Sequence, residues 1–109
     1  MILYQPVRQA EYDLIAASGF TAFPPRHPEM PFFHPTLNEQ YARWINERLN
    51  RFEKAAGRTS YITVFEIDDE YAARLPVRTI GAHDHQELWV LAEKLPEFNT
   101  HIIGQIRVL

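Results

Sequence analysis

The longest periodic pattern in the chain predicts an amphipathic helix that begins near residue 36 and ends at Gly57. Apolar residues recur there at three- and four-residue spacing, so they fall on one helical face, which we expect to point at the core. Thr36-Leu37-Asn38-Glu39 matches a capping box, with Thr36 as the cap residue. The predicted apolar face consists of Tyr41, Trp44, Ile45, Leu49, Phe52 and Ala56.

Alternating apolar and polar residues predict the strands. The segment Ser60–Ile67 is rich in aromatic and β-branched residues, which is typical of a central strand. Ile2–Gln5 predicts a short strand that stops at Pro6, because proline lacks a hydrogen for the ladder. His101–Leu109 predicts a closing strand with a bulge at Gly104.

Three shorter segments predict brief helices. Gln9–Ser18 is followed by a glycine that can end a helix, and Asp68 can cap a turn over Asp69–Leu75. Leu91–Asn99 predicts another brief helix or turn, interrupted at Pro96. The order of elements predicts an α+β fold, with small, mostly antiparallel sheets packed against one long and two or three short helices.

Composition narrows the classes of protein. A chain of 109 residues that is 46% hydrophobic fits a single domain over residues 1–109. Eleven basic and fourteen acidic residues give a net charge of -3, so nucleic acid is not an expected partner. The absence of cysteine excludes disulfides and thiolate chemistry and favours a reducing compartment. No apolar run approaches the roughly 18 residues of a membrane span, so we expect no membrane partner and a cytoplasmic location.

A stiff loop between Phe23 and Pro35 holds five of the eight prolines. Arg26 lies within it and could bind a phosphate or carboxylate, since a stiff loop loses little entropy on binding. A salt bridge to an acidic residue of the same chain is the alternative for Arg26. His34 could contact the polar edge of a ligand, or be an ordinary hydrogen-bonded surface histidine.

Polar residues alternate in the segment His83–Val90, just ahead of an apolar run. In an extended segment His83, His85 and Glu87 would share one face. Glu87 lies beside Trp89, where partial burial could hold the carboxylate facing a cleft. Two imidazoles and a carboxylate are also a common metal ligand set, whereas a solvated polar strand would need no function at all.

Several motifs along nearly the whole chain resemble a known family. They are Leu3-Tyr4-Gln5-Pro6-Val7, Ser18-Gly19-Phe20, Phe23-Pro24-Pro25-Arg26, Phe33-His34-Pro35, Leu37-Asn38-Glu39, Tyr41-Ala42, His85-Gln86-Glu87-Leu88-Trp89-Val90 and Glu97-Phe98-Asn99-Thr100-His101-Ile102. In these the chain resembles small bacterial proteins of the ADP-ribosylation/crystallin family. The resemblance implies an ADP-ribosyltransferase-like domain, in which NAD lies in a cleft between two small antiparallel sheets.

The resemblance also implies roles for particular residues. Glu87 takes the place of the late glutamate that stabilises the positive charge on the ribose carbon as nicotinamide leaves. Gln5 stands where the family pattern has a basic residue and His34 where it has a tyrosine, so Arg26 or Arg8 would supply the charge for the pyrophosphate. The residues implied around the cleft are Tyr4, Gln5, Arg26, His34 and His85.

Three functions follow from these patterns. The first is a protein that binds NAD or another ADP-ribosyl compound, with Glu87 as the catalytic carboxylate and a protein as acceptor or partner. The second is a non-catalytic interaction module, an inactive relative of the same fold, that uses the proline-rich loop as its surface. The third is a small metal enzyme built on His83, His85 and Glu87.

Overall fold

The computed structural model describes residues 1–82 and 84–109, which form an α+β domain. A short 3-10 turn covers Ala92–Lys94. In chain order the other elements are β1 (Ile2–Arg8), α1 (Gln9–Ala17), β2 (Phe32–Phe33), α2 (Glu39–Ala55), β3 (Ser60–Ile67), α3 (Asp69–Ala72), β4 (Val77–Thr79), β5 (Gln86–Leu88), β6 (Val90–Leu91), α4 (Leu95–Asn99) and β7 (Ile102–Val108).

A three-stranded antiparallel sheet has the order β1-β3-β7, which confirms β3 as a central strand. Two smaller antiparallel pairs join β2 to β6 and β4 to β5. Thr36 links the β4–β5 pair to the main sheet, because it bridges to Tyr4 of β1 on one side and to Glu87 of β5 on the other. Residues directly paired in a sheet point to the same face, so these three side chains share one side.

The prediction that the first strand stops at Pro6 is wrong, because β1 pairs with β3 through Arg8. The backbone of Tyr4 bonds outward to Thr36, away from β3. Pro6 is two residues further along and therefore has the same orientation. Its missing hydrogen faces the outer edge, so no bond of the ladder with β3 is lost.

Helix α2 is confirmed, but its cap is Asn38 rather than Thr36. The side chain of Asn38 accepts a hydrogen bond of 2.7 Å from the backbone N–H of Tyr41. The hydroxyl of Thr36 instead lies 3.2 Å from the carbonyl oxygen of Tyr4. Thr36 and Asn38 both carry a side-chain oxygen that can accept from the first turn, and Asn38, the residue next to the helix, occupies the cap.

The buried face of α2 differs from the predicted stripe. Tyr41 and Ala42 are buried, whereas Trp44 is 44% exposed and Phe52 is 73% exposed. The third buried residue of α2 is Glu53, which is 3% exposed and accepts a hydrogen bond of 2.7 Å from Arg58. A carboxylate that is paired with a guanidinium can be buried. Glu53 therefore takes the place in the contact with the sheet that the pattern predicted for Phe52, and Phe52 lies outside that contact.

The opposite side of the main sheet covers a core of aromatic and aliphatic residues. Phe23 packs against Phe33 and Phe65 with ring centroids 4.9 and 4.8 Å apart, and Phe98 closes the cluster. Phe33 is fully buried, which confirms the expected burial for that residue, while Phe32 is only half-buried. This core fixes the proline-rich loop against the sheet, because Phe23 and Phe33 belong to that loop.

The remaining local predictions have mixed outcomes. Asp68 caps α3, and Gly104 takes a φ of 69° beside a register shift in β7, so the predicted cap and bulge are confirmed. The predicted interruption at Pro96 is wrong, since Pro96 lies in the first turn of α4, where no backbone donor is needed. Within the described chain no helix is long and apolar enough to cross a membrane.

Candidate functional site

A cavity of about 160 Å³ lies where β1, the proline-rich loop and α2 meet, and we call it the inner cavity. Gln5, Arg26 and His34, all named from the sequence, line it together. Three segments that are distant in the chain bring these residues to one place. The inner cavity is therefore the principal candidate site.

A larger space of about 600 Å³, the outer cavity, adjoins the inner one under the proline-rich loop. The two cavities share Arg8, Glu11, Arg26 and Met30 as lining residues. Arg8 is exposed and forms no ion pair within the described residues. The cleft thus combines a small inner end with a wider outer part, which is lined by two arginines, Arg8 and Arg26, and two glutamates, Glu11 and Glu29.

Gln5 is placed in the inner cavity by β1. It is only 6% exposed, and its backbone carbonyl accepts a hydrogen bond of 2.7 Å from the hydroxyl of Thr63. Its side-chain oxygen Oε1 is buried without a partner among the described residues. Buried polar atoms without partners are rare in folded proteins. This oxygen exposes less than 1 Å² of surface, so a ligand in the cavity would meet other atoms of Gln5.

Arg26 reaches the same cavity from the proline-rich loop. One guanidinium nitrogen lies 3.3 Å from the Glu11 carboxylate, so the salt bridge considered as an alternative is present. The guanidinium carbon lies 5.9 Å from the centre of the Phe33 ring, and the side chain is 9% exposed. Its Nε is buried without an acceptor in the part of the chain that the structure describes. Arg26 therefore has both a structural partner and an unused donor.

Glu11 completes this end of the cavity. Burial raises the pKa of its carboxyl, an effect that the charge of Arg26 opposes. The Glu11 carboxylate already balances the charge of Arg26. A second anion bound at the same point would face this carboxylate.

Glu87 lies behind the inner cavity, in β5, and is 5% exposed. Its Oε2 accepts a hydrogen bond of 2.7 Å from the Tyr41 hydroxyl, and its Oε1 accepts one of 3.0 Å from the Trp89 indole. Glu87 is more deeply buried than the partial burial expected beside Trp89. Burial raises the pKa of Tyr41 well above its ordinary value of 10.0, and the hydrogen bond to Glu87 adds to this effect.

His34 separates Glu87 from the cavity. Its Nδ1 lies 3.8 Å from Oε2 of Glu87, and its side chain is 44% exposed. His34 itself lines the inner cavity, whereas the residues that line it do not include Glu87. The implied catalytic carboxylate is therefore one side chain away from the space in which a ligand would lie.

Tyr4 and His85 are not brought into the lining of the inner cavity. Tyr4 follows the opposite face of β1 from Gln5, as neighbouring strand residues do. The His85 ring stacks on Tyr41, with centroids 4.2 Å apart. Because Tyr41 also binds Glu87, His85 and Glu87 do lie on the same side, as the sequence predicts, although β5 begins only after His85.

The metal hypothesis rests partly on His83, which lies outside the described residues. Among residues 1–82 and 84–109 no group of three His, Asp or Glu side chains is arranged to hold a metal ion. His85 uses its ring face against Tyr41, and both oxygens of Glu87 have donors. These contacts account for the two residues of the stripe that the structure describes.

Sequence reasoning missed Glu11, Thr36 and Tyr41 as parts of the site. Tyr41 was assigned to the apolar face of α2, and the ring is indeed buried, but its hydroxyl binds Glu87. A tyrosine inside an apolar stripe is a usable signal, since a buried hydroxyl needs a partner.

Comparisons with protein-family models, with curated proteins and with solved structures find no match to this chain.

Proposed function

We propose that the chain binds NAD or a related ADP-ribosyl compound in the cleft formed by the inner and outer cavities. The observation that carries the proposal is that Gln5, Arg26 and His34 line one cavity beside the exposed Arg8, which has no ion-pair partner among the described residues. The sequence resemblance implies Gln5, Arg26 and His34 as ligand contacts, and Arg8 as a source of charge for the pyrophosphate.

The dimensions of the cleft support a ligand of two parts. Ligand pockets usually enclose roughly 300 to 1,000 Å³, so the inner cavity of about 160 Å³ is too small to hold a dinucleotide by itself. The outer cavity adds about 600 Å³ through a shared wall. One end of an extended ligand would fill the inner cavity while the rest occupies the outer one.

The charges of the cleft support an anionic segment at the wider end. Arg8 lines both cavities, is exposed and has no ion-pair partner among the described residues. A guanidinium can bind two phosphate oxygens at once, and this replaces the charge that Gln5 does not provide. Arg8 is thus the proposed contact for the pyrophosphate.

Binding is supported more directly than transfer of ADP-ribose. Transfer breaks the bond between ribose and nicotinamide, and a carboxylate beside the ribose stabilises the positive charge that develops. Glu87 is held in one orientation by Tyr41 and Trp89, but His34 lies between it and the inner cavity. A non-catalytic relative that binds the same compound is therefore the second candidate.

Calorimetry with NAD and with ADP-ribose tests the binding proposal. We expect dissociation constants below about 1 mM, and an affinity about tenfold lower for Arg8→Ala, because a charge-assisted hydrogen bond is lost. Arg51→Ala, an exposed arginine of α2, is the matched control and should bind like wild type. Absence of binding of both compounds by the folded wild-type protein would refute the proposal.

Release of nicotinamide from NAD, followed by liquid chromatography, separates the two candidates. A transferase-like protein should release nicotinamide, and Glu87→Gln should abolish release while binding of NAD persists. Binding without release, or release unaffected by Glu87→Gln, would leave Glu87 with a structural role only. Thermal unfolding of the variant shows whether it is folded.

A further inference from the structure

We propose that a second pocket, outside the inner and outer cavities, binds an aromatic ring system that carries one carboxylate. The pocket has a volume of about 310 Å³, and the rings of Phe32, Tyr71 and Trp89 line it, so we call it the aromatic pocket. Within the described part of the chain it shares no lining residue with the inner or the outer cavity. The inference therefore goes beyond the proposed function and does not depend on it.

The pairing of β2 with β6 creates one wall of the aromatic pocket. Phe33 pairs with Val90, and both side chains are buried in the core. Phe32 pairs with Leu91, so strand alternation turns these two side chains to the other face. Phe32 is half-buried and Leu91 is 45% exposed, and the Trp89 ring lies 4.7 Å from the Phe32 ring. The core thus leaves a continuous apolar surface partly open, which is typical of a binding surface.

The opposite wall comes from α3 and the residues that follow it. Tyr71 is buried, and its hydroxyl donates a hydrogen bond of 3.3 Å to Oε2 of Glu97 in α4. Leu75 and Pro76 add aliphatic surface beside the Tyr71 ring. Ligand pockets usually enclose roughly 300 to 1,000 Å³, so a volume of about 310 Å³ suits a ligand of one or two rings. Aromatic rings in contact also gain energy beyond the burial of their surface, which favours an aromatic ligand.

The charges of the aromatic pocket favour an anionic ligand. Arg74 and Lys94 line the pocket, are exposed and form no ion pair with any residue that the structure describes. The guanidinium of Arg78 lies 5.6 Å from the centre of the Trp89 ring and adds a third positive charge nearby. Against these cations the described lining has one carboxylate, that of Glu97. A ligand carboxylate would therefore meet an excess of positive charge.

A cationic ligand is the alternative, because pockets of aromatic rings often bind ammonium groups. Two of the three rings already have a guanidinium of the chain beside them. The guanidinium carbon of Arg74 lies 5.7 Å from the centre of the Tyr71 ring, and that of Arg78 lies 5.6 Å from the centre of the Trp89 ring. An ammonium ligand would be repelled by both guanidiniums and by Lys94. The same rings therefore favour an anion here.

Naphthoate, naphthamide and naphthylmethylamine, all substituted at the same carbon, are the matched probes, because they share two fused rings and differ in charge. In an NMR titration the indole N–H of Trp89 reports on the pocket, and that of Trp44, which does not line it, is the internal reference. We expect naphthoate to bind with a dissociation constant below about 1 mM, naphthamide at least about fivefold more weakly, and the amine most weakly. Equal or tighter binding of the amide or the amine, or no shift at Trp89, would overturn the inference.

Removing the two lining cations tests the charge argument. Arg74→Gln combined with Lys94→Gln should weaken naphthoate binding about tenfold and leave naphthamide binding unchanged. Arg51→Gln combined with Lys54→Gln makes the same change in net charge at exposed positions of α2 and should bind naphthoate like wild type. An equal loss for both probes, or no loss for naphthoate, would contradict the proposed role of Arg74 and Lys94.

Glu97→Gln provides a test in the opposite direction. It removes the carboxylate from the lining but keeps an oxygen that can accept from the Tyr71 hydroxyl. Naphthoate should bind about two to three times more tightly, a gain that partial unfolding cannot produce. Glu93→Gln, at an exposed position outside the described lining, is the matched control and should leave the affinity unchanged. Unchanged or weaker binding of naphthoate by Glu97→Gln would overturn the charge argument.

The outcome is separable from the proposed function. Saturating ADP-ribose should leave the affinity for naphthoate unchanged, because the aromatic pocket and the cleft share no described lining residue. Displacement of naphthoate by ADP-ribose would mean that both occupy one site, which would overturn the inference. Binding of naphthoate at Trp89 by a protein that binds neither NAD nor ADP-ribose would support the aromatic pocket and refute only the proposed function.

Discussion

Replacing Tyr41 by phenylalanine removes the hydroxyl that binds Glu87 while it keeps the ring in place. The bond is 2.7 Å long and joins two residues that are each 5% exposed. A hydrogen bond to a charged group contributes roughly 1.5 to 3 kcal/mol. We expect a loss toward the lower end of this range, since Trp89 still donates to Oε1 of the carboxylate.

Urea denaturation followed by circular dichroism measures this loss of unfolding free energy. In a thermal scan of a domain of this size the melting temperature should fall by about 4 °C per kcal/mol, or about 6 to 8 °C for a loss of about 1.5 to 2 kcal/mol. Tyr61→Phe is the matched control, because Tyr61 stacks on Tyr12 and its hydroxyl has no partner in the described chain. The control should change stability by less than about 0.5 kcal/mol.

A double-mutant cycle with Glu87→Gln isolates the interaction of the two side chains. The coupling energy between two directly bonded residues is usually about 0.5 to 3 kcal/mol. For Tyr41 and Glu87 we expect a coupling energy above about 1 kcal/mol. The raised pKa of Tyr41 provides a second readout. The stability that the neutral Tyr41 hydroxyl contributes is complete below its ordinary pKa of 10.0 and is lost as the pH rises through the pKa in the folded state. Tyr41→Phe has no such group, so its unfolding free energy should fall less than that of wild type as the pH is raised. Coupling below about 0.5 kcal/mol would refute the reasoning.

Two further predictions concern the scaffold. Gly57 follows α2 with a φ of 76°, so Gly57→Ala should lower the unfolding free energy by about 1 kcal/mol, and Gly57→Asn by less; equal urea midpoints for glycine and alanine would contradict this. The backbone N–H of Tyr71 and the His101 ring lower the pKa of Asp68, so its carbon-detected NMR titration should have a midpoint below 3.8, and the stability from these contacts should be lost only as the pH falls through that midpoint. A midpoint at or above 3.8 would mean that the cap and the His101 contact do not persist in solution.

Periodicity predicted the elements that depend on local sequence. α2, β3 and the Gly104 bulge all follow from patterns within one segment, and all are present. The errors arise where a neighbour in space decides the outcome. Pro6 remains in β1 because its nitrogen faces away from β3, and the sequence alone does not tell which edge of a strand is paired.

The site was predictable in part for the same reason. Gln5, Arg26 and His34 were named from motifs, and the fold gathers them around one cavity. The ion pair between Glu11 and Arg26 spans 15 residues and two different elements, so no spacing rule could have suggested it. Tyr4 was implied by its position beside Gln5, but strand alternation turns it to the other face.

The absence of a backbone hydrogen on Pro6 has a consequence for engineering. Continuing the Tyr4–Thr36 bridge would place His34 opposite Pro6, which has nothing to donate, and both residues border the inner cavity. This edge of the inner cavity thus lacks a main-chain hydrogen bond from Pro6, and side-chain substitutions elsewhere in the lining leave that position unpaired.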